Sequence, residues 1–156
     1  MRLLMDADCL IKLTKAGLKE LISNYDTIVI PEIVRKEVVD AGREKGLPDA
    51  TVVDKNVAAK KIQVAKENPS STTGDEALIN IFQSGRYDVV ATDDRKLVRM
   101  LKAAHTSFIL PGTLLYSLRQ RGLINRETAL RSLDLLAEFI SEDEYGTIKL
   151  LLEEKA

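Results

Sequence analysis

Short apolar runs alternate along this chain with stretches in which apolar residues recur every three or four positions. Leu3-Leu4-Met5, Thr27-Ile28-Val29-Ile30, Asp88 to Thr92 and Thr106 to Leu110 have the length and bounding residues of buried strands. Lys61 to Ala65 alternates like a half-exposed strand. Thr51-Val52-Val53 reads either as a short strand or as the approach to a helix through Lys60. Helical periodicity begins at Cys9, with Leu10, Leu13, Leu18, Leu21 and Ile22 on the buried side. It resumes at Pro31, a residue that costs no hydrogen bond in a first helical turn, and carries Ile33, Val34 and Val38 inward. A third helix is expected from Asp75 through Ser84. A fourth, after Asp94, turns Leu97, Val98 and Leu101 inward and Arg95, Lys96, Arg99 and Lys102 outward. Gly42 to Pro48 and Glu67 to Gly74 read as loops. Three leucine-rich helical patterns close the chain: Thr113 to Arg121, Arg126 to Ile140 and Ser141 to Glu154.

Strands alternating with helices of roughly ten residues predict an α/β fold, a parallel sheet within a Rossmann-like α/β/α sandwich with a helical C-terminal segment. One domain over 1–156 is expected, with helices 113–154 packed on it or forming a dimer surface. In such a sheet, ligands gather beyond the carboxyl ends of the strands.

Composition removes several chemistries. The chain has 156 residues, one Cys and one His, so disulfide frameworks, cysteine zinc sites and Ser/His triads lose support, while its 24 acidic residues leave carboxylates plentiful. Without Trp, and with aromatics at 4%, a stacking platform for single-stranded nucleic acid is poorly supported. The formal net charge of -1 lacks the basic excess usual in nucleic-acid binders, although an acidic metal site would lower the sum. Cys9 reads as a small core residue and His105 as a loop or surface residue. No run approaches a membrane span and the N-terminus lacks the regions of a signal peptide, so a cytoplasmic location and no membrane partner are expected.

The candidate chemistry lies where apolar strands end in acids. Val89-Val90-Ala91 runs into Thr92-Asp93-Asp94, and Leu3-Leu4-Met5 runs into Asp6-Ala7-Asp8. Paired acids at a buried strand end are costly unless positive charge compensates them, most simply a divalent metal. Asp8 sits where a helix N-cap belongs; Asp6, one step earlier, is not explained by a cap. Asp75 starts an apolar helix face and Glu76 is rotated about 100° from it, though both also suit a helix dipole. Glu37 lies about two turns into the helix from Pro31, near its apolar side. In a parallel sheet Asp6, Glu37, Asp75 and Asp94 can converge on one pocket. Four carboxylates balance two divalent cations, and Mg²⁺ or Mn²⁺ in such a site suits phosphodiester hydrolysis.

Leu3 to Asp8, Pro31 to Val38, Gly74 to Ile79 and Ala91 to Leu97 resemble, in order and spacing, the four acidic motifs of the PIN-domain nucleases. Gly112-Thr113-Leu114-Leu115 and Gly122-Leu123-Ile124 are similar to the C-terminal part of compact prokaryotic members, including VapC-type toxins. The resemblance implies a PIN-like fold, Asp6, Glu37, Asp75 and Asp94 as catalytic acids, and Asp6, Asp75 and Asp94 as metal ligands. It leaves Asp8, Glu76 and Asp93 as secondary candidates and makes Thr92 the residue that orients the carboxylates. It also implies an RNA substrate, cut by a Mg²⁺- or Mn²⁺-dependent endoribonuclease that belongs to a toxin–antitoxin pair with a small antitoxin partner or serves RNA processing. A homodimer is expected, and Arg95, Lys96 and Arg99 are candidates for RNA-backbone contact, against the plainer reading of a solvated basic face. Two other classes stay open: a PIN-like binding module without turnover, and a receiver-type phosphate-transfer domain. The second lacks the later Lys and the lone acceptor Asp after strand three.

Overall fold

The computed structural model describes residues 1–35, 62–65 and 74–154. Its strands are β1 (Arg2–Met5), β2 (Thr27–Pro31), β3 (Ile62–Ala65), β4 (Val89–Ala91) and β5 (Phe108–Ile109). They pair in parallel throughout, in the order β3-β2-β1-β4-β5. The helices are α1 (Ala7–Lys15), α2 (Lys19–Tyr25), α3 (Glu32–Arg35), α4 (Gly74–Ser84) and α5 (Arg95–Ala103). The C-terminal set follows as α6 (Pro111–Gln120), α7 (Arg126–Leu136) and α8 (Glu142–Glu153), with a 3-10 turn at Ala137–Phe139. This is the α/β arrangement expected from the alternation. None of the described helices is long and apolar enough to cross a membrane.

The period of two in the strands divides the core between the two sheet faces. Leu3 and Met5 of β1, Ile28 and Ile30 of β2, and Val89 and Ala91 of β4 turn to one side. There they meet Cys9, Leu10 and Leu13 of α1 and the leucines of α6 and α7, with Ile148 and Leu152 of α8. Leu4, Val29 and Val90, the residues between, turn to the other side against Ala77, Leu78 and Ile81 of α4 and Leu97 and Leu101 of α5. Register keeps these sets level, with Leu4 beside Val29 on one flank and beside Val90 on the other. The C-terminal helices therefore share a core with the first strand.

Three boundaries near the carboxyl ends of the strands differ from the sequence expectation in ways that bear on the site. Pro31 ends β2, in register with Ala65, where it was expected to open a helix. It lies beyond Val29, the last β2 residue paired to β1, so its missing N–H removes no bond to that strand. β5 is two residues long because pairing with β4 stops at Ile109 and Pro111 starts the next helix. Asp6, not Asp8, caps α1: Asp6 Oδ1 accepts the N–H of Cys9 at 2.8 Å, and Asp8 falls in the first turn. Glu37, Thr51-Val52-Val53 and the loops at Gly42 to Pro48 and Glu67 to Thr73 lie outside the described residues.

At the amino-terminal edge of the sheet, Asp26 precedes β2 with a side chain of 0% exposure. Arg121, after α6, grips it with two bonds of 2.9 and 2.8 Å, and the Met1 amino group adds one at 2.9 Å. Burial alone would raise this carboxyl, but the hydrogen bonds and positive charges outweigh it and hold the group below its ordinary value. Removing one member of such a pair leaves the other uncompensated, so Asp26→Asn should lower unfolding free energy by about 3 kcal/mol. Because the folded carboxyl is the stronger acid, its contribution is present above the ordinary carboxylate range and is lost as pH falls through the folded value. Urea melts at pH 7 and below pH 4 test this. Equal stability of variant and wild type at pH 7 would show that the pair holds nothing.

Candidate active site

In this strand order the chain reverses direction across the sheet between β1 and β4, the position where open α/β sheets leave a crevice at their carboxyl ends. Two turns meet there. β1 ends at Met5 and its ladder runs one residue further, since the Asp6 N–H donates to the Ala91 carbonyl at 3.1 Å. β4 ends at Ala91 and passes into Thr92-Asp93-Asp94.

Thr92 joins the turns. Its Oγ1, wholly buried, donates to Asp6 Oδ2 at 2.5 Å and accepts the Asp94 N–H at 3.1 Å. Asp94 then caps α5, its Oδ1 accepting the Leu97 N–H at 2.9 Å. Both acids thus use carboxylate oxygens to start a helix, and the two helices diverge from one threonine. Capping was expected for Asp8; for Asp6 it accounts for one oxygen, while Thr92 holds the other.

The electrostatics are those of acids raised by burial and by their acidic neighbours. Burial pushes the Asp6 carboxyl up to about 7; the Thr92 and Cys9 hydrogen bonds oppose the shift, and the charges of Asp8 and Asp94 reinforce it. Asp75, in the first turn of α4, is raised by burial and then by Asp94, with Lys96 acting against both. Asp94 therefore lies within electrostatic reach of both Asp6 and Asp75, so that three different segments supply acids around it. Among the described residues no group of three or more His, Cys, Asp or Glu side chains is close enough to form a ready-made metal cage. Glu37, expected as the fourth acid, lies outside the described residues.

The secondary candidates separate. Glu76 is exposed on α4. Asp8, with its side chain 49% exposed, binds Lys12 at 3.1 Å, one helical turn further on. Asp93 turns to a different neighbourhood from Asp94: its Oδ2 takes the Lys12 ammonium at 2.5 Å. Burial works against the Lys12 charge, but Asp93 and Asp8 outweigh it and raise its pKa. The basic set also divides, because Lys96 acts on Asp75 whereas Arg95 and Arg99 line a cavity with Asp93.

One functional candidate escaped the sequence. The C-terminal helices were expected only to pack on the domain or form a dimer surface, yet α8 brings Glu144 against Asp93 and Lys12. Glu144 is 7% exposed, and its Oε2 accepts the Gly112 N–H at 2.8 Å in the first turn of α6. A side chain at Gly112 would place Cβ 3.0 Å from that oxygen and 3.2 Å from Ile148, so glycine permits the approach of α8. Burial raises Glu144 to about 7, with the Gly112 bond and Lys12 opposing and Asp93 adding. Ser141-x-x-Glu144 has the spacing of a capping box, and Ser141 Oγ does accept the Glu144 N–H at 3.0 Å. That local signal marks a helix start and says nothing of Asp93, which is 51 positions away in the chain. Cys9 is fully buried and its thiol is raised well above its ordinary value by burial and then by nearby acids, in keeping with a packing role.

The donor set is carboxylate oxygen, with no thiolate and no imidazole beside it, which in kind fits a hard divalent cation. The elevated Asp6, pressed by two like charges, is a group whose ionisation such a cation would favour.

No curated protein matches the chain. A family model described as a PIN domain matches residues 2–154, from the first strand through the last helix. The chain therefore belongs to the PIN-domain family, whose members are usually nucleases that work with divalent metals.

Proposed function

We propose that this chain is a Mg²⁺- or Mn²⁺-dependent endoribonuclease. The observation that carries the reading is the Thr92 hydroxyl holding Asp6 while receiving the Asp94 N–H, with Asp75 close enough to Asp94 to feel its charge. This arrangement confines negative charge at the sheet's switch point, where a phosphodiester can approach only with cationic help. Asp6, Asp75 and Asp94 would hold the ion, joined by Glu37 on the strength of the second motif. A bound divalent ion supplies Lewis acidity toward the phosphate and the attacking water. The protein's own part is placement. Thr92 and the Cys9 N–H fix both oxygens of Asp6, so little reorganisation is left for the moment of reaction. Lys96 lies beside Asp75 and can steady the negative substrate at the rim. RNA as the substrate, and a toxin role with a small antitoxin partner, rest on the motif resemblance. A small protein that co-purifies with the chain and suppresses cleavage would favour the toxin over an RNA-processing role.

Mn²⁺ at about 100 times its dissociation constant should add roughly 2.7 kcal/mol of unfolding free energy. Asp6→Asn and Asp94→Asn should abolish both that gain and cleavage of a labelled RNA. If both variants keep both properties, the assignment fails; if the metal gain depends on the acids but no RNA is cut, the binding-module reading takes its place.

Thr92→Val keeps shape and removes the hydroxyl. It should cost about 1–3 kcal/mol of stability through the unsatisfied Asp6 oxygen and also weaken Mn²⁺ binding. A loss of stability with unaltered metal affinity would make Thr92 a structural residue only.

Lys96→Glu and Arg99→Glu should weaken RNA binding and flatten its salt dependence, by a slope of about 0.7 for each phosphate that is no longer neutralised. An unchanged slope would return this helix to the role of a solvated basic face.

A further inference from the structure

The cavity behind Asp93 is separate from the neighbourhood that Asp94 shares with Asp6 and Asp75. Its volume is about 750 Å³, and it opens between α5, β5 and the amino-terminal turns of α6 and α8. This size lies within the range of small-ligand pockets. Its lining is sorted by chemistry. Arg95, Arg99 and Lys102 stand along the α5 side, at the four- and three-residue spacings that place them on one helix face. Glu144 and Asp143 stand on the α8 side, and Asp93 is shared with Lys12 at the floor. Between the two charged sides the lining is apolar, with Val98, Phe108, Leu110 and Ile148.

We propose that this cavity is a nucleotide subsite, seating the base and phosphate of a residue that flanks the cleaved bond; the proposal rests on the nuclease reading above. A nucleotide is polarised in the same sense as the cavity. Its phosphate suits the guanidinium side, which offers planar, paired donors. Its base suits an apolar slot, which Phe108 lines with the Lys102 ammonium over its ring, 6.0 Å from the centroid. Exocyclic amino groups of a base are donors, and carboxylates on the far side accept from them, as Asp and Glu do from cytosine N4. Glu144 is placed for this by the Gly112 N–H, which holds one of its oxygens, and by the hydrogen bond that its carboxyl shares with Asp93. An acidic peptide would satisfy the α5 side but meet Asp93, Asp143 and Glu144 opposite, so charge favours the nucleotide. Position agrees, since Asp93 lines the cavity and its neighbour Asp94 belongs to the acidic site. One extended strand can cross the Asp93-Asp94 turn and occupy both.

The test uses the whole chain in EDTA, so that binding is read apart from metal and from cleavage, with 5′-AMP, GMP, CMP and UMP as probes in calorimetric titrations. CMP should bind more tightly than UMP, which lacks an exocyclic amine. Arg99→Glu should weaken every mononucleotide by about tenfold, equivalent to 1.4 kcal/mol. Glu144→Gln should narrow the gap between CMP and UMP; should that variant fail to fold, Lys102→Glu, at an exposed position, replaces it and should weaken all four probes. Equal binding of CMP and UMP by wild type, no binding of any probe, or wild-type affinities in Arg99→Glu would overturn the subsite. Competition by hexaglutamate at the affinity of CMP would also overturn it, in favour of a protein-binding surface. The nuclease reading is judged separately: if Asp6→Asn still cleaves RNA that reading falls, whatever the mononucleotides do.

Discussion

Two strand ends that belong to distant parts of the chain are tied together by one hydroxyl. Thr92 Oγ1 donates a hydrogen bond to Asp6 and accepts one from the N–H of Asp94, and the residues it joins each start a helix. A hydroxyl is one of few groups able to donate and accept at once in so small a space. A valine there would fill the volume but leave one buried Asp6 oxygen without its partner and deprive the Asp94 N–H of its acceptor. The parallel pairing of β1 with β4 puts the two ends level, and the threonine turns that proximity into a fixed orientation of carboxylates.

The cost of this arrangement is carried by the rest of the fold. Burial and like charge hold Asp6 near neutrality, which is unfavourable for an isolated carboxylate and suited to one awaiting a cation. Hydrogen bonds from the Thr92 hydroxyl and from the Cys9 N–H in the first turn of α1 offset part of the penalty. Sheet pairing and the apolar layers on both faces keep the acids from separating. The adjacent Lys12-Asp93-Glu144 cluster follows another scheme, where a protein cation already offsets the acids and α8 closes the back of the turn. Consecutive residues Asp93 and Asp94 thus serve a self-compensated cluster and a site suited to an added charge.

Much of the fold was legible in the sequence because periodicity is local. A run such as Val89-Val90-Ala91 has few ways to bury itself, and the three- and four-residue spacing of Leu97 and Leu101 marks the inner face of α5 within a few positions of chain. Asp6, Asp75 and Asp94 could be nominated for the same reason, each being marked by the strand or helix it terminates or begins. Local reasoning failed where one residue serves two segments. Asp8 looked like the cap because the helical pattern opens just after it, whereas Asp6 caps α1 and is also held from β4. Pro31 looked like a helix start because its ring allows that, and pairing with β3 decided otherwise.

By itself the sequence determined the alternation of strands and helices, a supply of carboxylates beside a single Cys and a single His, and four acids in the order of a known family. Tertiary structure alone decided which acids face one another. Glu144 is 51 positions from Asp93, and Lys12 is 81 positions from it, too far for any periodicity to connect them. Their meeting depends on how α8 and α6 pack over α1, a property of summed side-chain volumes across the core and not of any one segment. The division of Arg95, Lys96 and Arg99 has the same origin. On an isolated helix they form one basic surface, and only the neighbours on either side, Asp75 and the Asp93 cavity, give its members different work.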